Sequence, residues 1–433
     1  MRLLGWTALV GIAAVALLAG CGDDGGGTGG SGGSGAGNTV GVCGEGVTTM
    51  DDADCVAVLE ASGEDDTEAV QTALIEAQSG DVVCFCPGDY SFTKELSLTV
   101  PDVTVKGVGP TRDDVVLDFA AQTIGDDGVT VTSDGFTVAS LTIKNTPGNG
   151  IVVSGAEDVT FRDLMVSWDA GSVTENGAYA VYPVKSRNVL VEDCEVIGAA
   201  DAGIYVGQSE NALVRNNVVH GNVAGIEIEN SSNAEVVGNQ VFDNTAGILV
   251  FVLPNLERKE GDTCKVHDND IFENNRGNFA EEGSIVGAAP AGTGILVLSA
   301  DDQEIHDNRI VDNNSAALLL VSHATLGLLI PGFTEDPETD GDPEGTYFHD
   351  NEVSGNGTKP TGAVILLGAE TPIPDVVWDG IEKTPGSAEL CLGETPPGLL
   401  NFGGLDGVGD SSLHSNDTTP HECVGEEQPT VSL

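Results

Sequence analysis

The apolar positions of this chain follow two periods at once. Within short runs they alternate with polar residues, as in strands. The runs themselves return every 22 residues: Ala202-Gly203-Ile204-Tyr205-Val206, then Ala224-Gly225-Ile226-Glu227-Ile228, then Ala246-Gly247-Ile248-Leu249-Val250. Thr293-Gly294-Ile295-Leu296-Val297 is a later copy, and Gly128-Val129-Thr130-Val131 and Gly150-Ile151-Val152-Val153 are earlier ones. Val214, Val236, Val266 and Ile305 mark a second inward column, and Val219, Val241, Ile271 and Ile310 a third. Three short strands per repeat, joined by Gly and Asn corners, close a coil. Coils stacked ~4.8 Å apart pair each strand with its equivalents above and below. The pattern predicts an all-β chain, a right-handed parallel β-helix, over residues 100–370.

Asparagines travel with the repeat. Asn217, Asn239, Asn269, Asn308 and Asn351 each precede another five residues on: Asn222, Asn244, Asn274, Asn313 and Asn356. Asparagine tolerates left-handed corners, and stacked amides hydrogen-bond along the axis, so these columns read as architecture. An open coil needs a cap over its strand edges. Asp65–Ser79 reads as an amphipathic capping helix, with Val70, Leu74 and Ala77 on one face. Residues 42–99 then form the N-terminal cap and the first coil, which opens at Val82-Val83-Cys84. After Leu367 the repeat fades, and 371–433 reads as the C-terminal cap. Two coils are long: the one from Gly150 runs 28 residues and the one from Ala246 runs 47, with extra residues at 251–262 and 276–292. Such insertions build the walls of a solenoid's binding face.

Composition changes the picture at the ends. Residues 1–20 carry Arg2, an apolar run from Leu3 to Leu18 and small residues before Cys21, as in a secretory signal. Leu18-Ala19-Gly20-Cys21 resembles the bacterial lipobox, which implies a lipid on Cys21. Eleven of the twenty residues from Gly22 to Gly41 are glycine, so 21–41 reads as a flexible tether spanning about 25 Å r.m.s.. Gly22 in place of Asp resembles sorting to an outer membrane, where the cell has two. The expected partner is therefore a membrane, through the lipid. Eight further cysteines in an exported chain suggest disulfides. Cys391 and Cys423 form one expected pair. Cys84 and Cys86 point the same way, too far apart to pair with each other. Cys43 and Cys55 complete that end with the connectivity open, and Cys194 and Cys264 suit small core positions. The formal charge of −53 argues against a nucleic-acid partner and against polyanions, unless cations bridge them.

The capping helix, then Gly80-Asp81-Val82-Val83 with Pro87-Gly88-Asp89-Tyr90, then Val103 to Gly109, resemble the opening of pectate-lyase-like β-helices. The stretch from Glu175 to Pro254, with DAGIYVGQSENALVRNN and AGIEIENSSNAEV, resembles a bacterial family of parallel β-helix repeat lipoproteins. The likeness covers most of residues 65–425 and implies a fold more than a reaction. More distant relatives include carbohydrate-active lyases and epimerases, and accessory proteins that deliver copper. The Asp-Pro-His motif of alginate epimerases is missing, so that activity is not implied.

Alternation places Ala180 and Tyr182, Tyr205 and Gly207, Glu227 and Glu229, and Leu249 and Phe251 on the outer face of one strand column. Tyr205 lies beside Glu227, with Tyr182 and Glu229 across Gly207. Tyrosines with paired carboxylates suit a sugar chain. On this reading Glu227 and Glu229 are the acid and base, Tyr205 a proton donor or platform, and Lys185 a charge stabiliser. Tyr182, Asp201, Gln208, Trp168 and Phe251 bind the polysaccharide. The expectation is a cell-envelope lipoprotein that binds, and as a lyase, hydrolase or epimerase processes, carbohydrate. A second reading is metal handling by a ladder of His267, His306 and His349, each followed by Asp-Asn. A third is a structural or adhesive rod of ~10 coils, about 50 Å long. Asp268, Asp270, Glu273, Asp301 and Asp302 are candidates for calcium between coils.

Overall fold

A computed structural model describes residue 43 and residues 54–366, 368–383 and 389–433. The signal sequence, Cys21 and the tether lie outside the described residues. Among the described residues no helix is long and apolar enough to cross a membrane.

The body is a parallel β-helix. One face of every coil belongs to an 11-stranded sheet, and the other two faces merge into a 20-stranded sheet. Every pairing between named strands is parallel and runs from one coil to the next, as with Ile204, Ile226, Ile248 and Ile295 in register. The Val214–Val236–Val266–Ile305 and Val219–Val241–Ile271–Ile310 columns pair as the repeat requires. All eight side chains are fully buried in one interior cluster.

The 11-stranded sheet turns a corner just before each isoleucine, where two consecutive residues face inward. Gly203, Gly225, Gly247 and Gly294 occupy that corner because there is no room for more. A Cβ on Gly225 would sit 2.6 Å from the carbonyl oxygen of Gly247 and 2.6 Å from Val241 Cγ1. Replacing Gly225 by Ala should therefore cost about 1–3 kcal/mol in urea denaturation, the range for an overfilled core. A loss under ~0.5 kcal/mol would show that the coils can spread there.

The asparagine columns are hydrogen-bond ladders. Asn217 donates its backbone N–H and its side-chain amide to Asn239 Oδ1, both at 2.9 Å. Asn239 does the same to Asn269, and Asn269 to Asn308. The second ladder runs from Asn222 through Asn244, Asn274 and Asn313 to Asn356. The left-handed corners expected of these residues fall one position earlier, on Asn216, Gly238, Asp268, Asp307 and Asp350. The two demands are thus split: an exposed residue takes the strained backbone, and the buried asparagine takes the hydrogen bonds.

The capping helix spans Thr67–Glu76, shorter than expected at both ends, with Val70 and Leu74 buried. Asp65 stays outside it because its carboxylate accepts from the Thr67 N–H and hydroxyl. Ala77 leaves the helix in an extended conformation. A strand at Ala57–Leu59 pairs with Val82–Phe85, so the first coil opens earlier than Val82. Disulfides Cys43–Cys86 and Cys55–Cys84 close this end, and Cys391–Cys423 ties the other. Cys194 and Cys264 are free and buried. Strands Val376–Trp378 and Leu399–Asn401 continue the sheet past the visible repeat.

From the strand at Tyr179–Val184 onward, much of the outer face of the 11-stranded sheet is covered. Leu256 from one insertion, and Phe279, Ala280 and Ile285 from the next, pack on a second apolar cluster that includes Tyr205, Leu249, Phe251, Leu296 and Leu298. The helix His323–Leu329 adds Leu326 to the same cluster. The insertions form a roof as well as walls.

Candidate functional site

Under the near end of that roof, three carboxylates and three tyrosines come together. Tyr205 pairs with Glu227 and Gly207 with Glu229 on adjacent strands, as alternation predicts. The previous strand sits differently. Val181 pairs with Ile204 and Tyr179 with Ala202, which sets Tyr182 beside Tyr205 rather than beside Gly207. Ala180 is not on the outer face; it lies in the interior cluster, in the corner position that glycine fills elsewhere. The insertion shifts the strand by two residues relative to the repeat. Tyr182 still faces outward because side chains alternate with period two. Tyr179 joins the cluster in the column held by Ala202 and Ala224. Aligning Tyr179-Ala180-Val181 with Ala202-Gly203-Ile204 would have found it.

The tyrosine rings meet at centroid distances of 4.5 Å (Tyr179–Tyr182), 4.5 Å (Tyr179–Tyr205) and 4.9 Å (Tyr182–Tyr205). Tyr205 is 3% exposed, Glu227 3% and Glu229 7%. Tyr179, Tyr182 and Asp201 are only half-buried, at the solvent edge of the cluster. The Tyr205 hydroxyl donates to Glu229 Oε1 at 2.6 Å, and the Tyr179 hydroxyl reaches Asp201 Oδ2 at 3.4 Å. Glu227 hydrogen-bonds Glu229, and its Oε2 has no partner.

Burial pushes the Glu227 carboxyl well above the usual range, and the charges of Asp201 and Glu229 push it further. Burial also raises Glu229, but bonds from Tyr205 and Glu227 oppose the rise. Asp201 is raised to about 7, mainly by burial and then by Glu229. Glu227 is therefore the protonated member and Glu229 the charged one, stabilised by two donors. Tyr182 rises to about 12 from burial and the same negative charge, so its hydroxyl stays a donor.

The remaining sugar-site candidates lie elsewhere. The Lys185 ammonium pairs with Glu257 of the insertion at 2.5 Å, in a cleft with Arg187, Gln208 and Glu210, and makes no bond to Glu227 or Glu229. Gln208 Oε1 accepts from the backbone N–H groups of Glu257 and Arg258, which anchors the insertion. Trp168 is not a wall of the site; it packs in the interior, its indole N–H donating to Thr146 O at 2.8 Å. Phe251 is buried beneath the roof, with no face open to a sugar. Phe251 and Gln208 share a cause: the insertion that follows Phe251 folds onto the sheet instead of standing beside it.

The histidine ladder exists as stacked rings. His267–His306 and His306–His349 centroids are 5.0 and 5.2 Å apart, with interplanar angles of 3° and 17°. Of the calcium candidates, Asp270 is paired with Arg309 and Asp268 with His267. Asp301 groups with Asp340 and Glu344, against which the Lys383 ammonium already sits.

No curated protein sequence matches the chain. Among solved structures it is similar to the A-module of mannuronan C-5 epimerase AlgE4 from Azotobacter vinelandii, at 18% identity, over 76% of this chain and 89% of that one, with a TM-score of 0.45. It is also similar to the GH136 lacto-N-biosidase from Eubacterium ramulus, at 13% identity, over 74% and 63% of the two chains, with a TM-score of 0.46. Likeness at this level carries no argument about chemistry. Residues 122–255 match the sequence family described as the right handed beta helix region. By that match and the topology above, the chain is a right-handed parallel β-helix protein.

Proposed function

We propose that the protein is exported, held by a lipid on Cys21 to the cell envelope (the outer membrane where there are two), and binds and processes carbohydrate at the Tyr179–Tyr182–Asp201 opening. The observation that supports this most is the proton-sharing pair behind that opening: a buried neutral Glu227 with an unpartnered oxygen, hydrogen-bonded to a Glu229 that Tyr205 orients. Perturbed carboxylates beside aromatic rings in a protected recess are what sugar chemistry uses. Glu227 is the acid, Glu229 the base, and Tyr205 a proton donor. Hydrolytic carboxyl pairs stand at least ~5 Å apart to flank the bond they cleave. A pair in direct contact suits proton exchange at a single carbon, which favours lyase or epimerase chemistry over hydrolysis. The charge of −53 favours a neutral glycan, or an acidic one bridged by calcium.

The test is a glycan array with depolymerisation assays, run with and without calcium. The wild-type chain should bind at least one glycan, and Tyr182→Ala, at the half-buried opening, should weaken that binding about tenfold, ~1.4 kcal/mol. No binding by wild type in any condition overturns the reading.

A further inference from the structure

We propose that Arg258 is the centre of an oxyanion subsite that binds a carboxylate or sulfate group of the glycan, a role that rests on the carbohydrate reading. The chain carries 69 acidic residues against 16 lysines and arginines, so a guanidinium without a carboxylate partner is unexpected. Arg112, Arg162, Arg187, Arg215, Arg276 and Arg309 each pair with a carboxylate. Arg258 is the exception among the described arginines: no described carboxylate lies within 4.0 Å of its guanidinium. Its Nε is buried and has no hydrogen-bond partner. An arginine cannot shed its proton to escape burial, as a lysine can. An unpaired buried guanidinium N–H is costly, so the free protein holds a charge that an anionic ligand would relieve.

The fold holds Arg258 by its backbone and leaves its side chain uncommitted. Its N–H donates to Gln208 Oε1 at 3.3 Å, and its carbonyl accepts from the Asn230 side-chain amide at 2.8 Å. Gln208 and Asn230 directly follow the strands Ala202–Gly207 and Ala224–Glu229. The arginine is thus fixed at the ends of the strands that carry Tyr205, Glu227 and Glu229. It lines a cleft of about 350 Å³ with Lys185, Arg187, Gln208, Glu210 and Glu257, a volume in the range of small-molecule sites. Lys185 is engaged by Glu257 at 2.5 Å and Arg187 by Glu210 at 3.0 Å, so those four charges cancel in pairs. Glu157, the remaining acid of the cleft, is exposed and does not pair with Arg258. Arg258 is left as the unpaired cation. The planar fork of a guanidinium matches two oxygens of an oxyanion. Tyr182 and Lys185 are three residues apart, so a sugar chain at the tyrosine edge reaches the cleft within about 10 Å. An unpaired guanidinium at that point lets a chain of charge −53 accept an acidic glycan without a bridging cation.

The test is calorimetric titration of the full chain, in EDTA, with two matched pairs: polygalacturonate against its methyl ester, and dextran sulfate against dextran. The first pair reads a carboxylate and the second a sulfate. In at least one pair the charged member should bind about tenfold more tightly than the neutral one. Arg258→Gln should abolish that difference and leave the neutral member within about twofold of wild type, and Arg258→Lys should keep only part of the difference. Because it removes an unpaired buried charge, Arg258→Gln should melt no lower than the wild-type chain. A variant that melts several degrees lower would give Arg258 a structural role and overturn the subsite. So would an equal loss of both members on Arg258→Gln, or acidic binding that appears only when calcium is added. If the wild-type chain binds glycans but shows no preference for either charged member, the subsite falls and the carbohydrate reading stands. If it binds no glycan at all, both fall.

Discussion

Glu227→Gln should melt at a higher temperature than the wild-type chain at pH 8, and at nearly the same temperature at pH 5. Glu227 is 3% exposed, and burial with two neighbouring carboxylates raises its proton affinity. In the unfolded chain the same group ionises near pH 4.3. The folded state therefore binds more protons than the unfolded state from about pH 4 upward, and stability falls as pH rises. The contribution is complete below the unfolded value and is lost as pH climbs through the folded one. Asp201, raised to about 7, loses its own share between about pH 4 and 7. Each tenfold change in proton affinity corresponds to about 1.4 kcal/mol, so the wild-type chain gives up a few kcal/mol across this window. Glutamine keeps the shape and a donor for Glu229 while removing the titration. The variant should gain about 1–3 kcal/mol at pH 8. If Glu227 is also the catalytic acid, the same substitution removes turnover, a trade of activity for stability. Melting curves at pH 5, 6.5 and 8 decide it: parallel pH slopes in the two proteins would show that Glu227 is not held neutral.

Asn239→Ala should be among the most damaging single substitutions in the repeats. Asn239 is 1% exposed. Its Oδ1 accepts from the backbone and side-chain amides of Asn217, and its own amide donates to Val214 O at 3.0 Å and Asn269 Oδ1 at 2.9 Å. Alanine leaves the Asn217 backbone N–H buried without its acceptor, takes from the Asn217 amide one of its two acceptors (Val191 O remains), and removes the side-chain donor to the Val214 carbonyl. Each unsatisfied buried group costs ~1–3 kcal/mol, so a total of about 4–6 kcal/mol is expected from urea unfolding. Asn216→Gly is the control. Asn216 is exposed with φ 57°, a conformation glycine adopts freely, so its stability should stay within ~0.5 kcal/mol of wild type. Equal effects at the two positions would mean that backbone conformation, not the amide ladder, explains the asparagines.

The site was legible only in part, and the reasons are specific. Tyr205 sits on one 22-residue copy and Glu227 and Glu229 on the next, so alternation alone placed Tyr205 beside Glu227 and all three on one face. Tyr182 lies beyond an insertion, where the repeat no longer counts residues; the face survived and the register did not. Trp168 reads from the sequence as part of an insertion wall, Phe251 as an outward residue of the strand column and Gln208 as a flank of that strand. They proved to hold the interior and the roof.

The sequence by itself determined the coil, because a parallel β-helix repeats its physics each turn. One inward column, one corner too tight for a Cβ and one buried amide ladder must recur at fixed spacing or the strands cannot pair. Tertiary structure alone decided what lies over the outer face. How an insertion folds depends on contacts between residues far apart in the chain, as where Leu256 and Phe279 pack against the cluster that includes Tyr205 and Leu249. That covering turned the exposed carboxylates and tyrosines of an open strand into a buried, proton-sharing cluster.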